Sequence, residues 1–270
     1  MPRAAVIGMG NAGLRHYAAY MESSFISNVL SVERDDGINW RRAIEAVDIV
    51  SICTPDNLHC DMTCFALEHG KHVLCEKPLT HRMDELEKIE AAVRVADGQT
   101  FGTNFPLRYV TTAAPCTMQP YMIDACYEHG RRNAFVDDWR GSMDGYSLFC
   151  GGGIHLVDRI MLGSTIPSRV LRGNVTVNTE GLRAYQIGHF VLGQTLCRVT
   201  CNFGFNGEHR VWIRAWTADG PVDLLDQTDE PYDKLADIRQ FIADVENGNP
   251  GNGADAIRAN RICIEMSCTR

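Results

Sequence analysis

The chain has 270 residues, of which 45% are hydrophobic and 22% charged, and a formal net charge of −8. This length and mix fit one large or two modest globular domains and exclude a disordered chain. The acidic balance argues against a nucleic-acid-binding or anionic-membrane surface, while leaving room for a local pocket that holds phosphates. No run approaches the roughly 18 apolar residues of a membrane helix, and the apolar run at 4–7 is too short for the core of a signal peptide. A cytoplasmic protein is expected. The 11 cysteines are scattered and form no Cys-x-x-Cys pair. His59, Cys60 and Cys64 lie close together, as do Cys197 and Cys201, but neither group has the four-ligand pattern of a zinc site. Reduced thiols and no bound metal are expected.

In chain order, residues 4–7 form an apolar, β-compatible run that ends in Gly8-Met9-Gly10-Asn11-Ala12-Gly13. Residues 14–21 read as a helix, and 28–33 as a second strand closed by Glu33. A short helix follows at 40–46. Residues 47–53 are an apolar run of strand length, halted by Thr54-Pro55-Asp56. Residues 59–69 read as helix, 72–75 as strand, 83–96 as an amphipathic helix and 100–104 as a short strand. This alternation predicts βαβ units and a parallel sheet, with ligand loops at the carboxyl ends of its strands. Beyond about residue 105 the pattern changes. Residues 170–177, 188–205, 210–218 and 222–225 are β-rich, with turns at Asn206-Gly207 and Asp219-Gly220. Helices are expected at 116–128, 154–162, 233–246 and 255–268. The fold class predicted is α/β, with a dinucleotide-binding Rossmann domain at 1–105 and an α+β domain at 106–270 built on a largely antiparallel sheet.

Three motifs carry chemistry. Gly8-x-Gly10-x-x-Gly13 follows a strand and opens a helix. Its first glycine permits the turn, its second lets pyrophosphate approach the backbone, and its third lets the helix pack close to the strand. Glu33, 20 residues after Gly13 at the end of the next strand, is placed to hold a ribose 2′-hydroxyl. It favours NAD over NADP by charge, and Arg34 beside it pulls the other way. Glu76-Lys77-Pro78 puts a lysine at a strand's carboxyl end, where it can donate to a substrate oxygen; a surface lysine before a proline turn is the plainer reading. Gly151-Gly152-Gly153-Ile154-His155-Leu156-Val157-Asp158 opens a helix with glycines that let a ligand approach the backbone. It sets His155 and Asp158 three apart on one face, and histidine titrates in the range useful for acid–base work. A structural histidine behind a helix-starting loop is the alternative.

Together with Cys53-Thr54-Pro55-Asp56-Asn57-Leu58-His59, the run from Gly70 to Leu79, Asn104 with Arg108, and Trp139-Arg140-Gly141, these pieces resemble the glucose–fructose oxidoreductase/inositol dehydrogenase/MocA (Gfo/Idh/MocA) family over essentially the whole chain. The resemblance implies a two-domain subunit that associates into homo-oligomers through the second domain's sheet. It also implies hydride transfer between nicotinamide and a sugar, nucleotide sugar or cyclitol. It assigns Lys77 as the catalytic lysine and His155 as the histidine of an Asp-x-x-x-His pair. Cofactor contacts are expected from Gly8, Met9, Gly10, Asn11, Ala12, Gly13, Glu33, Arg34, Thr54, Pro55, Asn57, His59, Glu76, Lys77, Pro78, Asn104 and Arg108. The chain departs from the family at Gly151, which stands where the pair's aspartate would be. It is also short between Glu33 and Trp40 and in its second domain. Asp158 is the substitute carboxylate, although in the family this position more often looks structural.

The function expected is an NAD-dependent dehydrogenase or ketoreductase, with NADP as the alternative cofactor and a small carbohydrate-like substrate. Gly151 and the shortened chain motivate a rival from another class, a nucleotide-binding regulatory or scaffold protein without catalysis. A third reading is an enzyme of the same fold that reduces an imine or another non-sugar group.

Overall fold

A parallel sheet of five strands, in the order β2-β1-β3-β4-β5, organises the first of two units in this computed structural model. The structure describes residues 1–110, 119–128, 147–177, 183–203, 209–228 and 233–268. The sheet's strands are β1 (Arg3–Ile7), β2 (Asn28–Val32), β3 (Ile49–Ile52), β4 (His72–Cys75) and β5 (Phe101–Thr103). β1 lies between β2 and β3, pairing Ile7 with both Val32 and Ile52. The order of connections therefore reverses at β1, the kind of place where ligands bind in open α/β sheets. Helices α1 (Asn11–Glu22), α2 (Trp40–Glu45), α3 (His59–Glu68) and α4 (Met83–Val95) occupy the connections. α1 buries Gly13, His16, Ala19 and Tyr20, the spacing of one helix face.

The first unit is not contiguous in sequence. Residues 1–106 cluster with 233–257, while 107–232 cluster with 258–270. Assigning 106–270 to one domain therefore needs dividing. α6 (Ala236–Asn247) places Ile238, Phe241 and Ile242 in the same core as Ala4, Val6, Tyr20, Ile49 and Leu74. Helical periodicity shows that α6 has an apolar face, but not which sheet that face covers. The segment after α6 closes the edge of β5. Phe101 N donates to Pro250 O at 3.0 Å, and the Asn252 amide exchanges hydrogen bonds with Thr103 N and Thr103 O at 2.7 and 2.9 Å. An edge that would otherwise present free backbone groups is thereby satisfied.

The second unit is built on a six-stranded sheet, in the order β11-β10-β6-β9-β8-β7. Its strands are β6 (Met122–Glu128), β7 (Ser168–Val177), β8 (Arg183–Leu192), β9 (Thr195–Asn202), β10 (Arg210–Thr217) and β11 (Gly220–Thr228). All neighbours are antiparallel except β6 and β9. The β-rich run at 188–205 is broken by a turn at Gly193-Gln194, and the expected turn at Asp219-Gly220 joins β10 to β11. Asn206-Gly207 lies outside the described residues. The helix expected at 116–128 is corrected by β6. Met122, Ala125 and Glu128 favour helix locally, but pairing on both sides, with β10 and β9, decides the matter. Asp124 on β6 and Arg198, its register partner on β9, form a bidentate ion pair. Alternation is strict on β9, where Thr195, Cys197, Val199 and Cys201 face inward. Among the described residues, the α-helices of this unit are α5 (Ile154–Met161) and the part of α7 (Gly253–Cys268) beyond residue 257.

Candidate active site

The hydrogen-bond ladder of the parallel sheet runs past the strand ends and fixes the loops there. Gly8 N donates to Val32 O at 2.8 Å, Cys53 N to Ile7 O at 2.8 Å and Glu76 N to Ile52 O at 2.9 Å. Gly8 has φ +88, and a Cβ there would lie 2.7 Å from Cys53 O. A Cβ on Gly13 would lie 1.9 Å from Gly8 O, so only glycine lets α1 start this close to β1. Gly10, the residue that caps α1, differs: a Cβ there would meet nothing within 4 Å. The loop thus leaves open space over the helix N-terminus, where unpaired amides attract phosphate. The Glu33 carboxylate lies against this loop, accepting from Met9 N at 2.8 Å and Arg34 N at 3.0 Å. Glu33 N in turn donates to Asp36 at 3.0 Å, and the exposed Arg34 side chain pairs with Asp35 at 3.3 Å. A glycine cradle with open space above it and an acid at its rim fits the pyrophosphate and ribose of a dinucleotide.

Beneath the Lys77 turn lies a buried polar chain that motif reading missed. Tyr20 OH bonds Ser51 Oγ at 2.7 Å, Ser51 Oγ bonds His16 Nδ1 at 2.8 Å, and His16 Nε2 donates to Glu76 Oε1 at 3.2 Å. Asn104 Nδ2 donates to the same Glu76 oxygen at 2.8 Å. Burial opposes the charge on Glu76, but the hydrogen bonds and charge of His16, with help from Asn104 and Lys77, hold its carboxyl well below the usual range. Glu76 Oε2 also accepts from Lys77 N at 3.3 Å. Because a carboxylate only accepts, the Asn104 amide must present its nitrogen to Glu76. Its buried Oδ1 then has no hydrogen-bond partner among the described residues, an acceptor suited to a ligand hydroxyl or amide. Two signals for this chain stand in the sequence: Ser51 interrupts an apolar strand, and His16 shares a helix face with Gly13.

The other predicted contacts of this unit fall on the loops after β3 and β4. Thr54 is partly buried, Pro55 and Asn57 are exposed on the following turn, and His59 is 1% exposed at the start of α3. The two His59 nitrogens face backbone carbonyls, Pro78 O at 2.7 Å and Thr54 O at 2.9 Å. Asp56 pairs with His81 at 2.7 Å.

In the second unit, His155 is 9% exposed near the start of α5, with its ring stacked on Tyr127 of β6 at 6.2 Å and 16°. Phe203 and His209 also contact the Tyr127 ring. A π-helical turn, Phe149–Gly153, leads into α5. A Cβ on Gly152 would lie 2.9 Å from the Phe203 and Tyr127 rings, and one on Gly153 would lie 2.7 Å from Cys201 Sγ. These two glycines therefore answer to packing against the sheet, where the motif suggested ligand approach. Arg108 and Asp158, predicted as a cofactor contact and a catalytic carboxylate, pair with each other. Arg108 Nε donates to Asp158 Oδ2 at 2.8 Å and Nη2 to Oδ1, with side chains 8% and 1% exposed. Trp139, Arg140 and Gly141 lie outside the described residues. The ten described cysteines are free thiols. Among the described residues no helix is long and apolar enough to cross a membrane.

Known proteins share part of this sequence and its fold. Residues 2–103 match the Gfo/Idh/MocA family, described as an oxidoreductase family with an NAD-binding Rossmann fold. The 1,5-anhydro-D-fructose reductase of Ensifer adhaerens is 36% identical over 104 residues, 38% of this chain and 29% of that protein. The matched stretch spans less than a third of the length of the curated relatives it matches. The fold is shared over nearly the full chain with myo-inositol 2-dehydrogenase from Lactobacillus plantarum (TM-score 0.81, 16% identity, 98% of this chain and 97% of that one). It is likewise shared with scyllo-inositol dehydrogenase from Lactobacillus casei, solved with NAD(H) and scyllo-inositol (TM-score 0.79, 13% identity, 98% and 96%).

Proposed function

We propose that this chain, whose residues 2–103 match the Gfo/Idh/MocA oxidoreductase family with its NAD-binding Rossmann fold, is an NAD-dependent dehydrogenase or ketoreductase acting on a CH–OH carbon of a sugar, nucleotide sugar or cyclitol. The observation that carries this reading is the glycine cradle with Glu33 at its rim, set beside a lysine turn held by a buried carboxylate. The names of the relatives, a reductase of an anhydro-sugar and two inositol dehydrogenases, support a polyhydroxylated ring as substrate.

NAD, when bound, supplies the hydride acceptor or donor. Lys77 hydrogen-bonds the substrate oxygen and stabilises the negative charge that grows there during oxidation. His155 takes the hydroxyl proton on a ring nitrogen and returns it in the reverse direction. Asp158 positions rather than transfers protons, since both its oxygens hold the Arg108 guanidinium. Glu33, Asp35 and Asp36 outnumber Arg34 at the ribose end, which favours NAD over a cofactor with a 2′-phosphate.

The test is a titration with NADH, followed by a panel of sugars, sugar nucleotides and cyclitols. Because a side chain at Gly10 meets nothing in the protein, Gly10→Val should fold normally and bind NADH more weakly, by obstructing the pyrophosphate. Equal affinity in the variant would overturn the placement. Saturable NADH binding without turnover of any panel member would favour a nucleotide-binding protein that does no chemistry.

A further inference from the structure

The His59 ring bridges two ligand loops, with Nδ1 2.7 Å from Pro78 O and Nε2 2.9 Å from Thr54 O. Both partners are backbone carbonyls, which only accept hydrogen bonds. A neutral imidazole has one N–H and one lone pair. In either neutral tautomer a lone pair would face a carbonyl oxygen at hydrogen-bond distance, in a residue that is 1% exposed and shielded from water. Only the doubly protonated ring satisfies both contacts.

The surroundings agree. Burial works against the charge, but the Cys75 sulfur, Asp56 and the Pro78 carbonyl outweigh it and push the His59 pKa up to about 10. Of these groups, Asp56 is itself paired with His81. We propose that His59 is a standing imidazolium clamp that ties the Thr54 loop to the Lys77–Pro78 turn, and that it is a positioning residue for Lys77 rather than a contact to the dinucleotide. Both ring nitrogens are committed to the protein's own backbone, so neither is available to a cofactor atom. The clamp also explains why this position calls for a histidine. An amide side chain carries its donors on one atom and an acceptor on the other, so glutamine would set an oxygen against one of the two carbonyls and release that loop.

The charge state stands on geometry alone; the role toward Lys77 rests on the oxidoreductase reading. The first experiment is therefore independent of activity. Proton–nitrogen correlation spectra of the wild-type protein, labelled with ¹⁵N-histidine and assigned, should show both His59 ring nitrogens protonated and unchanged from pH 6 to pH 8. One unprotonated nitrogen at pH 7.5 would overturn the clamp, whether or not any variant folds. The second experiment is His59→Gln. It should bind NADH as the wild type does, yet lose about 10-fold or more in kcat, because small misplacement of a reacting group is costly, with a shifted pH profile. Wild-type kcat in a folded His59→Gln variant would overturn the positioning role. Weakened NADH binding with unchanged kcat would point instead to direct cofactor contact. Failure of the wild-type chain to turn over any substrate would count against the oxidoreductase reading and leave the spectra to decide the clamp.

Discussion

Under Lys77, in the first unit, lie charges and hydrogen bonds: Tyr20, Ser51, His16, Glu76 and Asn104 in one buried chain, and His59 between two carbonyls. Around His155, in the second unit, lie shape and close contact: a Tyr127 ring on one side, and glycines into which no methyl group fits. The first arrangement fixes a lysine turn through hydrogen bonds that converge on Glu76 and through the two carbonyls that hold His59, so it responds to charge and to pH. The second fixes a helix start by leaving no room, so it responds to volume. One protein thus uses two routes to the same end, a side chain held in one orientation.

The difference can be broken most severely at Glu76. Glu76→Ala removes the carboxylate that His16 and Asn104 both address. Breaking a buried pair of this kind costs about 3–5 kcal/mol, so the denaturant midpoint should fall sharply. A loss below about 1 kcal/mol, the scale of an exposed pair, would show the chain to be ornamental. Next come Lys77→Met and His155→Asn. Each should reduce turnover about 100-fold or more, the scale of a general acid–base group, while NADH binding barely changes. An unaffected rate in either variant removes that residue from the mechanism.

Smaller effects sharpen the contrast between charge and volume. Gly152→Ala and Gly153→Ala should each cost about 1–3 kcal/mol by overpacking, with little dependence on pH. Stability equal to wild type would mean that the rings and Cys201 yield easily. A separate signal is a slope with pH. His59 has a folded pKa raised from 6.5 to about 10. Its contribution to stability is therefore fully present below pH 6.5 and lost as pH rises through about 10. Glu76 is depressed from 4.5, so its contribution is present above that value and lost only in acid, as pH falls through its folded value. Tm of the wild type should therefore fall between pH 6.5 and 10 more steeply than Tm of His59→Gln. Parallel curves would place the proton elsewhere.

The parallel sheet and its loops were legible because they are written locally. Apolar runs ended by Gly8, Thr54-Pro55 and Lys77-Pro78 mark strand ends, and strand ends are where such a sheet keeps its ligands. Legibility failed where partners are distant in sequence. The 122–128 segment has helix-forming residues and becomes a central strand only because β9 and β10 arrive on both sides. In the sequence His16 is one more helical residue, because its meaning depends on Ser51 and Glu76, 35 and 60 residues away. Asp158 suggested a reacting carboxylate, since nothing in its neighbourhood announces Arg108, 50 residues earlier. Gly152 and Gly153 looked like ligand glycines because the rings and sulfur that require them lie on other elements.

The return of residues 233–257 to the first unit has a consequence for how the chain is made. During synthesis the five strands of the parallel sheet emerge first, but α6 and the strap along β5 arrive roughly 130 residues later. At the ribosome's usual pace that is a wait on the order of ten seconds. For that interval the nascent nucleotide-binding unit has Ala4, Tyr20 and Leu74 without the Phe241 side of their core, and an open β5 edge without Asn252. A growing chain in that state is a natural client for chaperones. Cutting the chain after residue 106 should therefore yield a sticky fragment, whereas a circular permutant that joins 233–257 directly to residue 1 should let the unit close as it is made.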